Sequence, residues 1–363
     1  MKRFLIPMTL AAMSLFPSAL SAQNTQRLTA AKSNEYGLIY SLPQTALDIT
    51  VETTHTVSRP GEFYNYARRH LSINNAVTAE SNKTTVTSVT IVPRGVADPD
   101  NRWMVQFKSG TSPFIVLNSA GIPLSVNAEP LSAESPVLPV AKKAEPTILE
   151  RDVARQAMTQ DMIRSSSTSK KAELAAARIF ELRDMRSDIL SGQSDNPPAD
   201  GKAMQLVLSN LAEQEEALTA MFAGTTTTWT DVRTFTVLPD STGMAREVLA
   251  RVSPREGIIE ADNLAGAPVY VTVKPLDTAE LPVNEKGEIK KFPKGGFAYC
   301  IPGSALVTVE FDGKTIASQE VQLSQLGVTF GIDPSVFTDK KSPSKAYLDP
   351  ATGGILQLVP LSE

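Results

Sequence analysis

The sequence predicts an α+β fold in which two related, sandwich-like antiparallel β-units are separated by an inserted α-helical hairpin. Three observations support this prediction. The phrase GLIYSLPQTAL at residues 37–47 returns as GFAYCIPGSAL at residues 296–306. Apolar and polar residues alternate on either side of the middle of the chain, as they do in half-buried strands. In the middle, apolar residues instead recur every three or four positions, as in amphipathic helices.

The chain begins with the features of an export signal. Lys2 and Arg3 precede an apolar run that ends at Phe16, and small residues follow. This order is typical of a cleaved signal peptide, so we assign residues 1–22 to one and expect a mature chain that starts at Gln23. We therefore expect no lipid anchor on an N-terminal cysteine, and no later stretch has the ~20 apolar residues of a transmembrane helix. The predicted location is the periplasm or the outside of the cell.

Residues 23–146 are predicted to form the first β-unit, with a short helix and a trailing linker. Apolar residues alternate with polar ones from Leu47 to Val57, which favours a strand, and Pro60 and Gly61 open the short helix. Proline removes a backbone donor and restricts the residue before it, so the proline-rich residues 127–146 are interpreted as a linker. Further strands are predicted at residues 84–92, 102–108, 114–117 and 122–126.

Residues 147–224 are predicted to form the helical insert, and residues 225–363 the second β-unit. Two long helices flank the loop at residues 191–201, because their apolar residues are spaced by threes and fours. In the second β-unit, Asp312 and Gly313 supply the positive φ values of a type I′ turn and so predict a tight hairpin.

The repeated phrase predicts an internal duplication, and a chance match is the alternative. In each copy the glycine would permit an unusual backbone angle, the tyrosine would offer an apolar body with a polar tip, and the proline would mark an edge or a bulge. A second pair of similar segments, which we call the echoes, follows the phrases: FIVLNSAGIPLSV in the first half and AYLDPATGGILQLV in the second. The matched residues of the phrase are Gly37 with Gly296, Tyr40 with Tyr299, and Pro43 with Pro302.

Three segments carry a family resemblance. They are GLIYSLPQTALDITVE near the start, RIFELRDMRSDILSGQSDNPPADGKAMQLVLSNLAEQEEALTAMFAGT in the middle, and GFAYCIPGSALVTVEFDG towards the end. Together they resemble a family of secreted Gram-negative bacterial proteins known only as the domain of unknown function numbered 4831. The resemblance implies export and a shared fold, and it implies no activity.

The sequence contains no catalytic, cofactor or metal motif of useful specificity. A net charge of -4, with both signs interspersed, argues against nucleic-acid binding. The only histidines, His55 and His70, are expected in a strand and at a helix end, and the single Cys300 is expected to be a small buried side chain. We therefore assign no catalytic residue, no cofactor and no metal site.

Two classes of function stay open. The preferred one is a noncatalytic envelope protein, a binding or structural module whose partner is another envelope protein or a glycan. The alternative is a secreted, glycan-directed hydrolase with carboxylates from distant loops, because a glycosidase needs only two acids at a fixed separation. Trp103 and Trp229 could form a platform for a sugar, although tryptophans more often belong to the core. Glu215 and its acidic neighbours are expected on the solvated face of a helix.

Arg186 interrupts the apolar seam of the first long helix. Antiparallel packing of the hairpin would place it near apolar residues such as Val207, where a guanidinium needs hydrogen-bond partners. The nearest partners in the sequence are Asp195 and Asp200, in the loop between the helices. We predict a structural lock formed by these three residues. The alternatives are an anion-binding role for Arg186 and a side chain that extends to solvent.

Overall fold

The computed structural model describes residues 23–27, 37–107, 113–132, 136–194, 201–339 and 343–361, so the predicted signal peptide lies outside the described residues. Within these ranges the strands form three antiparallel sheets, and the long helices lie in the middle of the chain. The predicted α+β class is confirmed.

The strands are β1 Gln23–Arg27, β2 Leu38–Arg59, β3 Ser81–Phe107, β4 Ile115–Leu117, β5 Pro123–Val126, β6 Thr225–Val237, β7 Met244–Ser253, β8 Gly257–Ile259, β9 Ala267–Asp277, β10 Phe297–Phe311, β11 Lys314–Ile332, β12 Ser344–Leu348 and β13 Ile355–Pro360. The α-helices are α1 Ala67–Leu71, α2 Asp152–Ala157, α3 Gln160–Arg164, α4 Thr168–Ser191, α5 Gly201–Ala223 and α6 Ser335–Thr338. Two 3-10 turns, Tyr64–Tyr66 and Ile148–Glu150, precede α1 and α2.

Strands from both halves of the chain share two of the three sheets. The first sheet has the order β1-β3-β2-β6, so β6 from the second half forms one edge beside β2. The second sheet, β11-β10-β9-β7-β8, comes from the second half alone. The third sheet, β13-β12-β5-β4, joins the halves where Ala346 pairs with Val126. The helices therefore interrupt the sequence between two β-rich halves that are interwoven in space.

The long hairpins of the two halves have similar irregularities. In β2, Leu42 is opposed by residues 98–101 of β3, because Ser41 pairs with Arg102 and Pro43 with Ala97. In β10, Pro302 is opposed by residues 324–327 of β11, because Ile301 pairs with Val328 and Gly303 with Leu323. The strands predicted at 84–92 and 102–108 are consequently parts of one bulged strand, β3.

The predicted type I′ turn is confirmed. Asp312 and Gly313 have φ values of 51° and 71°, and the flanking residues Phe311 and Lys314 pair directly. Both central residues of a type I′ turn need positive φ, and this turn twists in the sense of the flanking strands. The turn therefore closes the long hairpin of β10 and β11 without distorting it.

In the part of the chain that the structure describes, apolar side chains form three cores. The sandwich core lies between the first two sheets, where Leu47 and Ile49 of β2 share a cluster with Val271 of β9 and Val307 of β10. The helical core gathers the inner faces of α1 to α5 around Phe63, Met162, Ile179, Leu218 and Phe222. The junction core lies among the ends of the sheets and includes Tyr40, Phe297, Phe337 and Ala346.

The helical hairpin is anchored at its base and projects beyond the core. Ser167 caps the start of α4 through its side chain, and Gly192 ends the helix with a φ of 72°, a value that favours glycine. The buried residues of α4 extend no further than Leu182, and those of α5 begin at Ala217. None of the helices in the described ranges combines the length and the apolar character needed to cross a membrane.

Candidate functional site

The candidate site is a cleft at the base of the helical hairpin. It has a volume of about 810 Å³ and is bounded by α4, α5, the start of β6 and the extended chain before α2. We call that extended chain, residues 136–147, the strap. The charged residues that line the cleft are Lys142, Lys143, Glu145, Arg151, Arg183, Arg186, Glu215 and Glu216, so cations outnumber carboxylates by five to three. The cleft is thus basic in a chain whose net charge is -4.

Glu215 of α5 joins the two arginines of α4. Arg183 donates from Nε to one carboxylate oxygen at 2.6 Å, and a terminal nitrogen of Arg186 lies 2.8 Å from the other. The arginines are three residues apart and so share one face of α4. Only 14% of the Glu215 side chain is exposed, against 43% for Arg183 and 38% for Arg186. One fixed carboxylate therefore holds two half-exposed guanidinium groups at the wall of the cleft.

Arg186 has a partner that the sequence analysis did not predict. The structure pairs it with Glu215, whereas Asp195 and Asp200 of the predicted lock lie outside the described residues. It is also less buried than the sequence suggested, because the buried residues of α4 extend no further than Leu182 and 38% of the Arg186 side chain is exposed. The side chain lines the basic cleft, which is where an anion-binding role would place it.

The strap meets β6 at a single point. Lys142 and Thr230 form an isolated antiparallel bridge, in which the Thr230 N–H donates to the Lys142 carbonyl at 3.0 Å. The Thr230 hydroxyl oxygen also accepts the Lys142 N–H at 3.0 Å. Beyond this point the strap diverges from the strand, and its residues form one wall of the cleft while Thr225 to Thr228 form another.

The histidines lie outside the cleft. His55 is buried, stacks on Trp229 with ring centroids 5.0 Å apart, and shares a hydrogen bond of 3.0 Å between Nδ1 and the hydroxyl of Thr84. Burial lowers the pKa of His55, and the nearby Asp231 carboxylate opposes that shift. His70 lies in α1 with its ring centroid 6.5 Å from that of Phe222. Neither histidine is therefore placed to act on a ligand in the cleft.

The predicted sugar platform is not assembled in the cleft, because no aromatic side chain lines it. Trp103 stacks on Phe292 at 5.5 Å and Trp229 on His55, so each tryptophan has one face covered. Cys300 is buried, as expected, and burial raises the pKa of its thiol to about 12. A thiol that stays protonated is a poor nucleophile. The described residues contain no group of three acidic, histidine or cysteine side chains that could hold a metal.

The repeated phrases occupy corresponding places beside the third sheet. In the first half, the N–H of Ser41 donates to Gly121 in the turn between β4 and β5, at 3.0 Å. In the second half, the N–H of Cys300 donates to Gly353 in the turn between β12 and β13, also at 3.0 Å. Ser41 and Cys300 are matched positions of the two phrases, and the two turns are the echoes that follow them. This correspondence supports the interpretation of an internal duplication.

The two tyrosines of the phrase differ in their surroundings. Tyr40 is 1% exposed and stacks on Phe297 at 4.9 Å, and burial raises the pKa of its phenol far above the usual value. Its hydroxyl accepts the N–H of Ala298 at 2.8 Å and donates to the carbonyl of the same residue at 3.2 Å. Tyr299 is only half-buried. Tyr40 therefore packs through its apolar ring and forms hydrogen bonds through its hydroxyl, as was expected for a tyrosine at this position.

The glycines of the phrase serve a different purpose from the predicted one. Neither Gly37 nor Gly296 has a positive φ. A Cβ atom at Gly37 would lie 2.8 Å from the side chain of Met104, and one at Gly296 would lie 3.0 Å from the carbonyl of Pro293. Both glycines are therefore needed for close packing. Pro43 directly follows the irregularity in β2, and Pro302 lies within the one in β10, in keeping with the predicted bulges.

The family model described as Domain of unknown function (DUF4831) matches residues 36–356. The chain belongs to this family. The match includes both copies of the phrase, the hairpin and every residue that lines the basic cleft, so the candidate site is part of the family domain. No curated protein and no solved structure matches the chain.

Sequence reasoning missed most of the cleft. Glu215 was expected on a solvated helix face, and the lysine pair at 142 and 143 was treated only as part of a linker. Two weak signals point to the site in retrospect: the arginines at 183 and 186 share a helix face, and four consecutive threonines follow α5. Neither signal indicates that these segments meet, because they are separated by long stretches of chain.

Proposed function

We propose that the protein is an exported, noncatalytic envelope protein that binds an anionic partner in the basic cleft. The observation that carries the proposal is the excess of cations over carboxylates in the cleft of a chain that is acidic as a whole. A concave surface with an excess of one sign of charge concentrates ligands of the opposite sign. The two ion pairs with Glu215 support the proposal further, because they hold Arg183 and Arg186 in place before any ligand binds.

The arrangement of the acids favours binding over hydrolysis. A glycosidase needs two carboxyl groups that face each other across the scissile bond. Both oxygens of Glu215 are already occupied by arginines, and Glu216 is the next residue on the same helix, so it is rotated by about 100°. Glu145 lies on the strap, where its side chain is exposed. The acids of this cleft therefore do not face each other across a scissile bond, which supports binding over the hydrolase alternative.

The proposed location depends on the export signal at residues 1–22. Mass spectrometry of the protein from its natural host tests it, and we expect a mature N-terminus at or within a residue of Gln23. Recovery of a form that retains Met1, or of a purely cytoplasmic protein, would contradict export.

Binding is tested with two labelled anions, an octaglutamate peptide and an octagalacturonate oligosaccharide. We expect fluorescence anisotropy to show that at least one binds and that affinity falls as salt is raised. The double variant K142E/K143E should bind at least about tenfold more weakly, since it reverses two charges at the wall of the cleft. The matched control is K290E/K291E, an adjacent exposed lysine pair away from the cleft. The proposal fails if neither anion binds, or if the two double variants weaken binding equally.

A further inference from the structure

The outer edge of β6 presents unpaired backbone groups to the cleft. β6 is the last strand of the first sheet, and the Thr230 N–H points away from β2 because it donates to the strap. Backbone direction alternates along a strand, so the N–H and C=O groups of Thr226 and Thr228 also point away from β2. Both residues line the cleft, and within the described ranges no group accepts a hydrogen bond from either N–H.

The strap does not cover this edge, because its pairing with β6 is limited to the isolated bridge at Lys142. Continued antiparallel pairing from the bridge between Lys142 and Thr230 would place Pro146 opposite Thr226. Proline has no N–H to donate and is excluded from the interior of a ladder. From Thr147 the chain instead enters a 3-10 turn through a capping box with Glu150, and this turn leads into α2. The sheet therefore has a short open edge with a second wall facing it.

The surroundings of the edge favour one kind of occupant. Lys142 and Lys143 lie on the strap side, and Arg183 and Arg186 on the hairpin side, so an occupant has cations on both sides and meets more cations than carboxylates. Sugar sites commonly stack a ring on an aromatic side chain, and no aromatic lines this cleft. An open strand edge, in contrast, is recognised by an extended peptide, which gains affinity from main-chain hydrogen bonds. The combination of edge and charge fits an acidic peptide.

We propose that an extended, acidic segment of a partner protein adds to β6 at Thr226 and Thr228 as a further strand of the first sheet. This inference rests on the proposed function, since it identifies the anion that the cleft binds. Lys142 already pairs with the same edge at Thr230, which shows that the edge accepts an added strand. Residues 225–228 span roughly 13 Å, enough for a strand of about four residues. Acidic side chains at alternate positions of that strand would then face the arginines of α4.

The test uses a fluorescein-labelled octapeptide of alternating Glu and Val, and two versions N-methylated on alternate residues, one in each frame. In an added strand only every second N–H points towards β6 and donates to it. We therefore expect the peptide that is N-methylated at the other positions to bind like the parent, and the peptide that is N-methylated at the donating positions to lose binding. In the protein, T228P removes an outward N–H and T228A retains it. We expect about tenfold weaker binding for T228P, which corresponds to roughly 1.4 kcal/mol, and less than about a twofold change for T228A.

Amide hydrogen exchange of the wild-type protein gives a second measurement that does not depend on the folding of T228P. Saturation with the parent peptide should slow exchange at Thr226 and Thr228, and leave Thr227, whose N–H points to β2, unchanged. The inference is overturned if both N-methylated peptides bind like the parent, or if octagalacturonate binds more tightly than the peptide. In either case the basic cleft still binds an anion and the proposed function stands. Absence of binding to every anion would overturn both.

Discussion

Replacement of Tyr40 by phenylalanine would test how the two halves of the chain are joined. β9 pairs with β10 only as far as Ser304, so Ala298 has no strand beside it on that side. The Tyr40 hydroxyl takes the place of a neighbouring strand, because it bonds both the N–H and the carbonyl of Ala298. Y40F removes that hydroxyl and retains the ring that stacks on Phe297.

The expected cost follows from burial. Ala298 is fully buried, and its N–H and carbonyl would both lose their partner with no access to water. An unsatisfied buried group costs about 1–3 kcal/mol, and we expect Y40F to lower the free energy of unfolding by about 2–4 kcal/mol. The matched control is Y299F at the corresponding position of the second phrase. Tyr299 is half-buried and its hydroxyl bonds none of the described residues, so we expect a loss below about 0.5 kcal/mol.

Equilibrium unfolding in urea, followed by circular dichroism, measures both variants. A lower midpoint with an unchanged slope would show a change in stability without a change in the surface exposed. The reasoning is refuted if Y40F loses no more stability than Y299F, since the two variants delete the same atom from matched positions. Crystal structures of the variants would then be expected to show water in contact with Ala298.

Three further predictions concern other parts of the molecule. A Cβ at Gly95 would lie 1.9 Å from the carbonyl of Pro350, so G95A should lower the free energy of unfolding by more than about 2 kcal/mol. The control is G201A, where the added Cβ has open space and the effect should be neutral or stabilising. Equal effects of the two variants in thermal unfolding would contradict this. Burial lowers the pKa of His55 below its usual 6.5, so the folded protein binds fewer protons than the unfolded chain near that pH. The stability contributed by the neutral ring is therefore lost as pH falls below about 6.5. H55Q should flatten the dependence of the urea midpoint between pH 7 and 5, and an unchanged slope would exclude His55 as its source. A double-mutant cycle of R186A and E215Q should give a coupling of about 0.5–1 kcal/mol, and a value near zero would mean that the pair does not stabilise the hairpin.

The local parts of the fold were predictable because their signals are local. Alternation in the run that begins at Leu47 predicts a half-buried strand, and β2 contains it. The turn at Asp312 and Gly313 is determined by two adjacent residues that tolerate positive φ. The repeated phrase predicted two related β-units, because a match between two segments can be read from the sequence without knowledge of their contacts.

The parts that depend on distant contacts were not predictable in the same way. β3 was predicted as two strands, at residues 84–92 and 102–108, and only pairing with β2 shows that residues 98–101 form a bulge within one strand. Arg186 was expected to be buried because its helix has an apolar seam, but the buried residues of that helix extend no further than Leu182. The cleft joins the strap, α5 and β6, and the periodicity of each segment carries no information about which of the others it meets.

The third sheet also determines the order in which the chain can fold. The first hairpin of this sheet, β4 and β5, gains its neighbour only when β12 pairs with it, and the pair Ser125 and Tyr347 lies more than two hundred residues apart. Contacts of such long sequence separation form slowly, because the entropy of closing the loop must be overcome first. The edge of β5 therefore stays open until residues 344–348 are in place. A ribosome that still holds those residues keeps the sheet incomplete, and a chaperone that shields strand edges would be required most during that interval.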